Sequence, residues 1–149
     1  MEFANSFKST YQLSNGMSVE YGELIEYFGM NGPFVGKISV NGVELDGLFT
    51  GPPRLSENFN NLLLQKCEHK FDRKFIFRRE RVLFSILVVD LATTEMFESI
   101  VTFPLLFIEG MNNQTITVHK ANHNQNVKNK IVVDFNMNNF RRIGLLKRK

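Results

Sequence analysis

The chain has 149 residues, the usual size of one domain with one core of ordinary size. Hydrophobic residues make up 43% and charged residues 22%, a balance that excludes an intrinsically disordered chain, and the net charge is a modest +3. The single cysteine, Cys67, excludes an internal disulfide, so we expect a reducing compartment, by default the cytoplasm.

Asparagine followed by glycine occurs three times in the first third of the chain, at positions 15–16, 31–32 and 41–42. Both residues tolerate a positive φ, which two-residue hairpin turns require. Three such signals so close together predict an antiparallel meander.

The clearest predicted strand is segment 34–40. Its alternation places Phe34, Gly36, Ile38 and Val40 on one face and Val35, Lys37 and Ser39 on the other. We expect segment 43–49 to return antiparallel beside it. Proline has no N–H for the ladder, so Gly51-Pro52-Pro53 is predicted to end that return strand.

Two segments fit more than one element. Segment 18–28 carries a helical stripe, but the internal Gly22 costs about 1 kcal/mol in a helix relative to alanine, and turn pairs lie on both sides, so we predict a strand. Segment 56–64 fits a helix capped by Ser56 and equally fits a loop that runs into a strand.

Segment 82–91 is rich in apolar and β-branched residues, with only Ser85 and Asp90 as polar exceptions, which predicts a central strand buried on both faces. It is far shorter than the roughly 20 apolar residues of a membrane-spanning helix. A turn at 92–95 follows, and then come further strand-length runs at 96–103, 105–109, 115–120, 130–135 and 141–146.

The predicted fold class is therefore mainly β: an antiparallel meander that forms a twisted sheet, a sandwich or a partly open barrel, with at most one or two short helices. No linker divides the chain. We expect one domain over residues 1–149, with a basic C-terminal tail at about 141–149.

Charge is strongly segregated along the chain. Residues 1–65 carry a net −4, residues 66–81 a net +4, residues 82–119 a net −4 and residues 120–149 a net +7. Such blocks either fold side by side and neutralise one another or leave acidic and basic surfaces exposed.

The acidic residues of the first block predict a binding surface for a basic protein partner, because complementary charge steers association. The candidate partner-binding residues are Glu20, Glu23, Glu26, Glu44 and Asp46. Such a group is also typical of a solvated face, and a pair of carboxylates can serve acid–base chemistry only within a cleft.

The basic segment 66–81 interleaves cations with Phe71, Phe75 and Phe77, a composition that can hold phosphates and stack bases. The alternative nucleic-acid site consists of Lys70, Arg73, Lys74, Arg78, Arg79 and Arg81. A half-buried strand with phenylalanines inside and arginines in water explains the same alternation.

No motif of a known enzyme occurs, so we expect a protein that is not an enzyme and that uses no metal or cofactor. His119 and His123 are spaced to share a metal but lack an evident third ligand. Cys67 has only His69 nearby as a base, and a buried structural cysteine is the simpler interpretation.

Three stretches carry a family resemblance. They are Tyr-Phe-Gly-Met-Asn-Gly-Pro-Phe-Val-Gly-Lys-Ile-Ser-Val-Asn-Gly at 27–42, Phe-Thr-Gly-Pro-Pro at 49–53 and Leu-Val-Val-Asp-Leu-Ala-Thr-Thr-Glu at 87–95. As a pattern of strands and turns they resemble small β-rich bacterial proteins, several of which are immunity proteins of polymorphic-toxin systems. The resemblance implies a cytoplasmic protein that binds and blocks a cognate toxin.

Overall fold

The computed structural model describes residues 9–26, 34–72, 79–121 and 128–146, and every regular element among them is a β-strand. The mainly β prediction is confirmed. The strands are β1 (Thr10–Gln12), β2 (Ser18–Glu26), β3 (Phe34–Val40), β4 (Val43–Glu44), β5 (Leu48–Leu55), β6 (Asn61–Asp72), β7 (Arg79–Asp90), β8 (Glu95–Ser99), β9 (Leu105–Asn112), β10 (Thr115–Ala121), β11 (Lys128–Asp134) and β12 (Phe140–Leu145).

The strands form two antiparallel sheets. The larger sheet has the order β1-β2-β3-β5-β6-β7-β8-β12, and the short strand β4 pairs beside β3. The first eight strands follow the predicted meander, and β12 then returns to pair with β8. The smaller sheet has the order β11-β10-β9, and the sequence did not predict that these strands would separate from the meander.

A first core lies between the two sheets because alternate residues of β6 and β7 face the smaller sheet. It comprises Val35, Leu63, Cys67, Phe84, Ile86, Val88 and Phe140 from the larger sheet, together with Phe103, Leu106, Phe107, Ile108, Met111, Ile116 and Val118. Burying large apolar side chains such as these stabilises the fold by about 1.5–3 kcal/mol each.

A second core lies on the opposite face of the larger sheet. It comprises Val19, Tyr21, Ile38, Val40, Leu45, Phe49, Leu62, Leu64, Leu87 and Val89. Side chains from β2, β3, β6 and β7 meet there, so the sheet curls around its own apolar face. The prediction that segment 82–91 is buried on both faces is confirmed for Phe84 through Val89.

The curl leaves an open seam. Two cavities lie between residues 43–46 on one side and Met96, Ile143, Leu145 and Leu146 on the other. The sheet therefore does not close into a barrel, in keeping with the twisted sheet or sandwich among the predicted forms.

The prediction that Gly51-Pro52-Pro53 ends a strand is wrong, because β5 continues to Leu55. The pairing of β5 with β6 shifts between Thr50 and Arg54, so the prolines lie in an irregularity where the regular ladder is interrupted. The buried side chain of Gln65 supports this bulge by donating to the Thr50 carbonyl oxygen at 3.3 Å.

Gly51 adopts a φ of 72° at this bulge, and the Tyr21 hydroxyl donates to its carbonyl oxygen at 2.5 Å. Glycine is required there because its φ is positive and because a Cβ would collide with the Gln65 side chain. The bulge thus determines the position from which the side chain of Arg54, the next charged residue, extends from β5.

Several predicted boundaries shift. Segment 18–26 is a strand, as predicted, and segment 56–60 is a loop that leads into β6. The predicted strand 96–103 ends at Ser99, because the Ser99 hydroxyl donates to the Val101 carbonyl oxygen at 2.8 Å and bends the chain. Turns are confirmed at 41–42, where both residues have a positive φ, and at 15–16, where only Gly16 does. The pair at 31–32 lies outside the described residues.

Candidate functional site

The acidic residues of segment 82–119 are largely neutralised by the basic C-terminal segment. Arg141 contacts Glu98 at 3.4 Å and Arg142 contacts Glu95 at 3.2 Å, because β12 pairs with β8. The residues predicted as a basic tail therefore begin as a paired strand, and residues 147–149 lie outside the described part of the chain.

Glu98 is the centre of this charge pairing. Its side chain is only 3% exposed, Lys66 contacts its Oε1 atom at 3.3 Å, and the Ser85 hydroxyl donates to the same oxygen at 3.0 Å. The registers that pair Lys66 with Ser85 and Leu87 with Glu98 bring these groups together. Both carboxylate oxygens have partners, so this carboxylate has the properties of a structural ion pair.

Glu109 is also paired, on the outer part of the smaller sheet. Its Oε2 atom lies 3.5 Å from His119 Nε2 and 3.6 Å from Lys130 Nζ. The register places Lys130 opposite His119 on the neighbouring strands β11 and β10. His123, the other half of the predicted histidine pair, lies outside the described residues.

The predicted acidic residues of the first block behave differently. Glu20, Glu23, Glu44 and Asp46 are exposed, and none of these four, which we call the acidic face, forms an ion pair with any described residue. Glu26 belongs to β2, but its side chain lies outside the described part of the structure.

Strand register brings part of the acidic face together. Glu20 pairs with Ser39, and Ser39 pairs with Glu44, so the two glutamates lie on either side of one serine. The tight Asn41-Gly42 turn, with φ values of 48° and 82°, fixes the pairing of Ser39 with Glu44. Lys37 is exposed on β3, two residues along from Ser39.

The described parts of the predicted basic segment, residues 66–72 and 79–81, lie in the outer part of the paired strands β6 and β7. Strands β6 and β7 pair from Asn61 with Asp90 out to Asp72 with Arg79. Lys70 pairs with Arg81 in this outer part, and Arg73, Lys74 and Arg78 lie outside the described residues.

The described pairings of the neighbouring strands stop before this end. Strand β5 pairs with β6 as far as Cys67, and β8 pairs with β7 no closer to the hairpin end than Leu87. A single bridge joins Phe84 to Phe103. Among the described residues, the outer part of the hairpin is therefore a two-stranded ribbon, which we call the β6–β7 ribbon.

The structure describes the side chain of only one member of each candidate pair of catalytic or metal-binding residues. Cys67 is buried within the first core, and the side chain of His69 lies outside the described part of the chain. Within the described ranges, no three His, Cys, Asp or Glu residues are close enough to hold a metal ion.

A groove that the sequence did not predict lies beside the β5 bulge. It has a volume of about 460 Å³ and is lined by Tyr11, Gln12, Leu13, Ser14, Pro52, Pro53, Arg54, Leu55, Ser56, Glu57 and Phe59. We call it the Arg54 groove. The sequence signal for this groove was one arginine in a mainly acidic block. The bulge that positions this arginine depends on contacts between strands far apart in the sequence, so the sequence did not reveal the groove.

Arg54 is held in an unusual environment. Its guanidinium carbon lies 5.3 Å from the centre of the Phe107 ring, a cation–π contact. Its Nε atom is buried without a hydrogen-bond partner in the described structure. An unsatisfied buried donor costs about 1–3 kcal/mol, and more for a charged group, so this position is destabilising unless something outside the described chain pairs with it.

Comparison with protein-family models, with curated proteins and with solved structures finds no match. Among the described residues there is no helix long and apolar enough to cross a membrane.

Proposed function

We propose that the protein is a protein-binding module whose acidic face recognises a basic surface on a partner protein. The most concrete form of this proposal is a cytoplasmic immunity-type inhibitor that covers the active site of a toxin or effector. The family resemblance of segments 27–42, 49–53 and 87–95 supports that form.

The observation that carries the proposal is the contrast between two groups of carboxylates. Glu95, Glu98 and Glu109 each contact a cation within the chain. The four carboxylates of the acidic face have no such partner among the described residues. Their negative charge is thus left for an external partner.

Exposed charge of one sign favours fast association with a surface of opposite charge. Steering by such charge raises association rates from about 10⁵–10⁶ M⁻¹s⁻¹ to as much as about 10⁸–10⁹ M⁻¹s⁻¹ at low salt. Side chains that extend from paired strands keep their spacing, so Glu20 and Glu44 present a fixed pattern rather than a diffuse charge.

The first prediction concerns charge reversal on the acidic face. The full chain carrying Glu20→Lys and Glu44→Lys is expected to retain a cognate protein from host extract at least about 10-fold less than the wild type, equivalent to about 1.4 kcal/mol. The measurement is affinity capture from nuclease-treated extract, with bound proteins quantified by mass spectrometry.

Asp134→Lys supplies the matched control, since Asp134 is an exposed carboxylate on β11 outside the acidic face. This variant is expected to capture the same protein as the wild type. Equal capture by all three chains, or no specifically retained protein at all, would contradict the proposal.

A second function, nucleic-acid binding, is favoured by the backbone of the β6–β7 ribbon. A two-stranded ribbon fits the major groove of duplex DNA, and basic residues on such a ribbon neutralise phosphates. The predicted residues Lys70, Arg79 and Arg81 belong to this ribbon. The unpaired acidic face opposes this function, because it repels phosphates.

The second prediction tests this function by salt dependence. If the ribbon binds duplex DNA, Arg79→Gln with Arg81→Gln should lower the slope of log affinity against log salt by about 0.9 for each phosphate that the variant no longer neutralises. Lys37→Gln, on β3, is the control. A gel-shift series in which wild-type binding is absent or independent of salt would eliminate nucleic acid as the ligand.

A further inference from the structure

The Arg54 groove combines a charged donor with an apolar wall. None of the acidic-face residues lines it. Arg54 is the single cation among its lining residues, and Tyr11, Leu13, Pro52 and Phe59 supply aromatic and aliphatic surface. Ligand pockets have volumes of about 300–1,000 Å³ and combine apolar walls with a few polar groups that fix orientation, so this groove has the right size and composition.

The guanidinium of Arg54 is fixed in place yet unpaired. Its central carbon lies over the ring of Phe107, which is buried in the first core. No described residue forms a hydrogen bond or an ion pair with it, including Glu57 on the same groove wall. A guanidinium that is already held in one orientation loses little conformational entropy when it forms a bidentate pair with a carboxylate.

Phe59 adds a second unusual feature on the rim. It adopts a φ of 61°, and its side chain is 52% exposed. A bulky residue in the left-handed region is strained, and such strain gathers at binding sites. Strain, exposure of an aromatic ring and an unpaired cation therefore coincide at one groove.

We infer that the Arg54 groove binds a carboxylate carried on an apolar body, with the carboxylate paired to the Arg54 guanidinium and the body packed between Tyr11 and Phe59. The carboxylate belongs either to a free organic acid or to the C-terminus of a peptide that ends in an aromatic residue. Both sources present the same chemistry to the groove. This site is independent of the acidic face.

The test is a nuclear magnetic resonance titration of the full ¹⁵N-labelled chain, in which the Arg54 Nε–H signal is assigned by its loss in Arg54→Gln. The probes are phenylacetate, phenylacetamide, a short peptide that ends in phenylalanine with a free carboxylate, the same peptide amidated, and inorganic phosphate. We expect a saturable shift with at least one carboxylate probe and at least about 10-fold weaker binding of its matched amide.

Variants separate this pairing from general effects. Arg54→Gln should weaken carboxylate binding at least about 10-fold, and Arg54→Lys should bind at an intermediate level because lysine keeps the charge but not the planar fork. Arg142→Gln, which removes an exposed arginine paired with Glu95, should bind like the wild type. The amide spectrum of each variant reports whether it is folded, and Arg54→Lys serves as the test if Arg54→Gln is not.

The probes that bind distinguish the two sources of the carboxylate. Binding of phenylacetate alone assigns the groove to a free acid, and binding of the free-carboxylate peptide alone assigns it to a chain terminus. The inference is overturned if no carboxylate probe gives a saturable shift, if the amides bind equally well, if phosphate alone binds, or if Arg54 substitution leaves carboxylate binding unchanged.

Discussion

Tyr21 illustrates how one side chain joins the core to a strand irregularity. Its ring belongs to the second core, and its hydroxyl donates to the carbonyl oxygen of Gly51 in the β5 bulge. Burial raises the pKa of the Tyr21 hydroxyl far above its usual value, and the neighbouring Tyr11 raises it further. Loss of the Tyr21 proton is therefore strongly disfavoured in the folded structure.

The third prediction follows from that raised pKa. Below about pH 10 tyrosine is protonated in both the folded and the unfolded chain, so Tyr21 contributes its full stability there. Above about pH 10 the unfolded chain loses this proton while folded Tyr21 retains it, so the free energy of unfolding falls by up to about 1.4 kcal/mol per pH unit.

Tyr21→Phe removes this pH-dependent contribution to the free energy of unfolding, together with one hydrogen bond. It should lower the free energy of unfolding by about 1 kcal/mol at neutral pH and should make stability decline less steeply above about pH 10 than in the wild type. Urea unfolding at a series of pH values measures both effects. Parallel pH profiles for the two chains would show that Tyr21 does not titrate in this way.

At the scale of elements, Gln65 connects the two sheets. Its side chain is buried, its Nε2 atom donates to the Thr50 carbonyl oxygen, and its Oε1 atom accepts from the Ile108 amide at 2.9 Å. Thr50 lies in β5 and Ile108 in β9, so one amide group in β6 ties an irregular strand to the edge of the smaller sheet.

The fourth prediction concerns Gln65→Met, which keeps the length of the side chain but not its hydrogen bonds. Leaving the buried Ile108 N–H and Thr50 carbonyl oxygen without this partner should cost about 2–4 kcal/mol of the free energy of unfolding. Hydrogen exchange should also lose protection at Ile108. Gln12→Met, at an exposed position on β1, should change stability by no more than about 0.5 kcal/mol. A loss of stability no larger at position 65 than at position 12 would contradict this role.

Elements governed by local patterns were predictable from the sequence. Strand β3 has the predicted bounds because its alternation and the following Asn41-Gly42 turn agree. The course of β5 through Pro52 and Pro53 was not predictable, because the bulge depends on Gln65 and Tyr21 from distant strands. The separation of β9–β11 into a second sheet depends on long-range pairing as well.

The same distinction applies to the candidate sites. The sequence grouped Glu20 and Glu44 in one acidic block, and the registers of β2 with β3 and of β3 with β4 place them on either side of Ser39. It did not reveal that Glu95 and Glu98 are neutralised, since that follows from the pairing of β8 with β12. The Arg54 groove escaped prediction for the same reason, because it forms where β1, β5 and the loop at 56–60 meet.

At the scale of the whole molecule, folding neutralises some of the charged blocks and leaves others exposed. The basic C-terminal strand neutralises the acidic strand beside it, and the acidic face formed by the first block remains without cation partners among the described residues. The acidic face is therefore a negatively charged surface on a chain whose net charge is +3. We expect this surface, rather than the net charge, to select the partner.

The fifth prediction is the most direct test of that claim. The measurement is the association rate between the full chain and the protein it captures, determined by interferometry at about 30 mM and about 300 mM salt. Steering through the acidic face predicts a fall of at least about 10-fold for the wild type and little change for the variant with Glu20→Lys and Glu44→Lys. A wild-type association rate that is independent of salt, or an equal fall in both chains, would contradict the account.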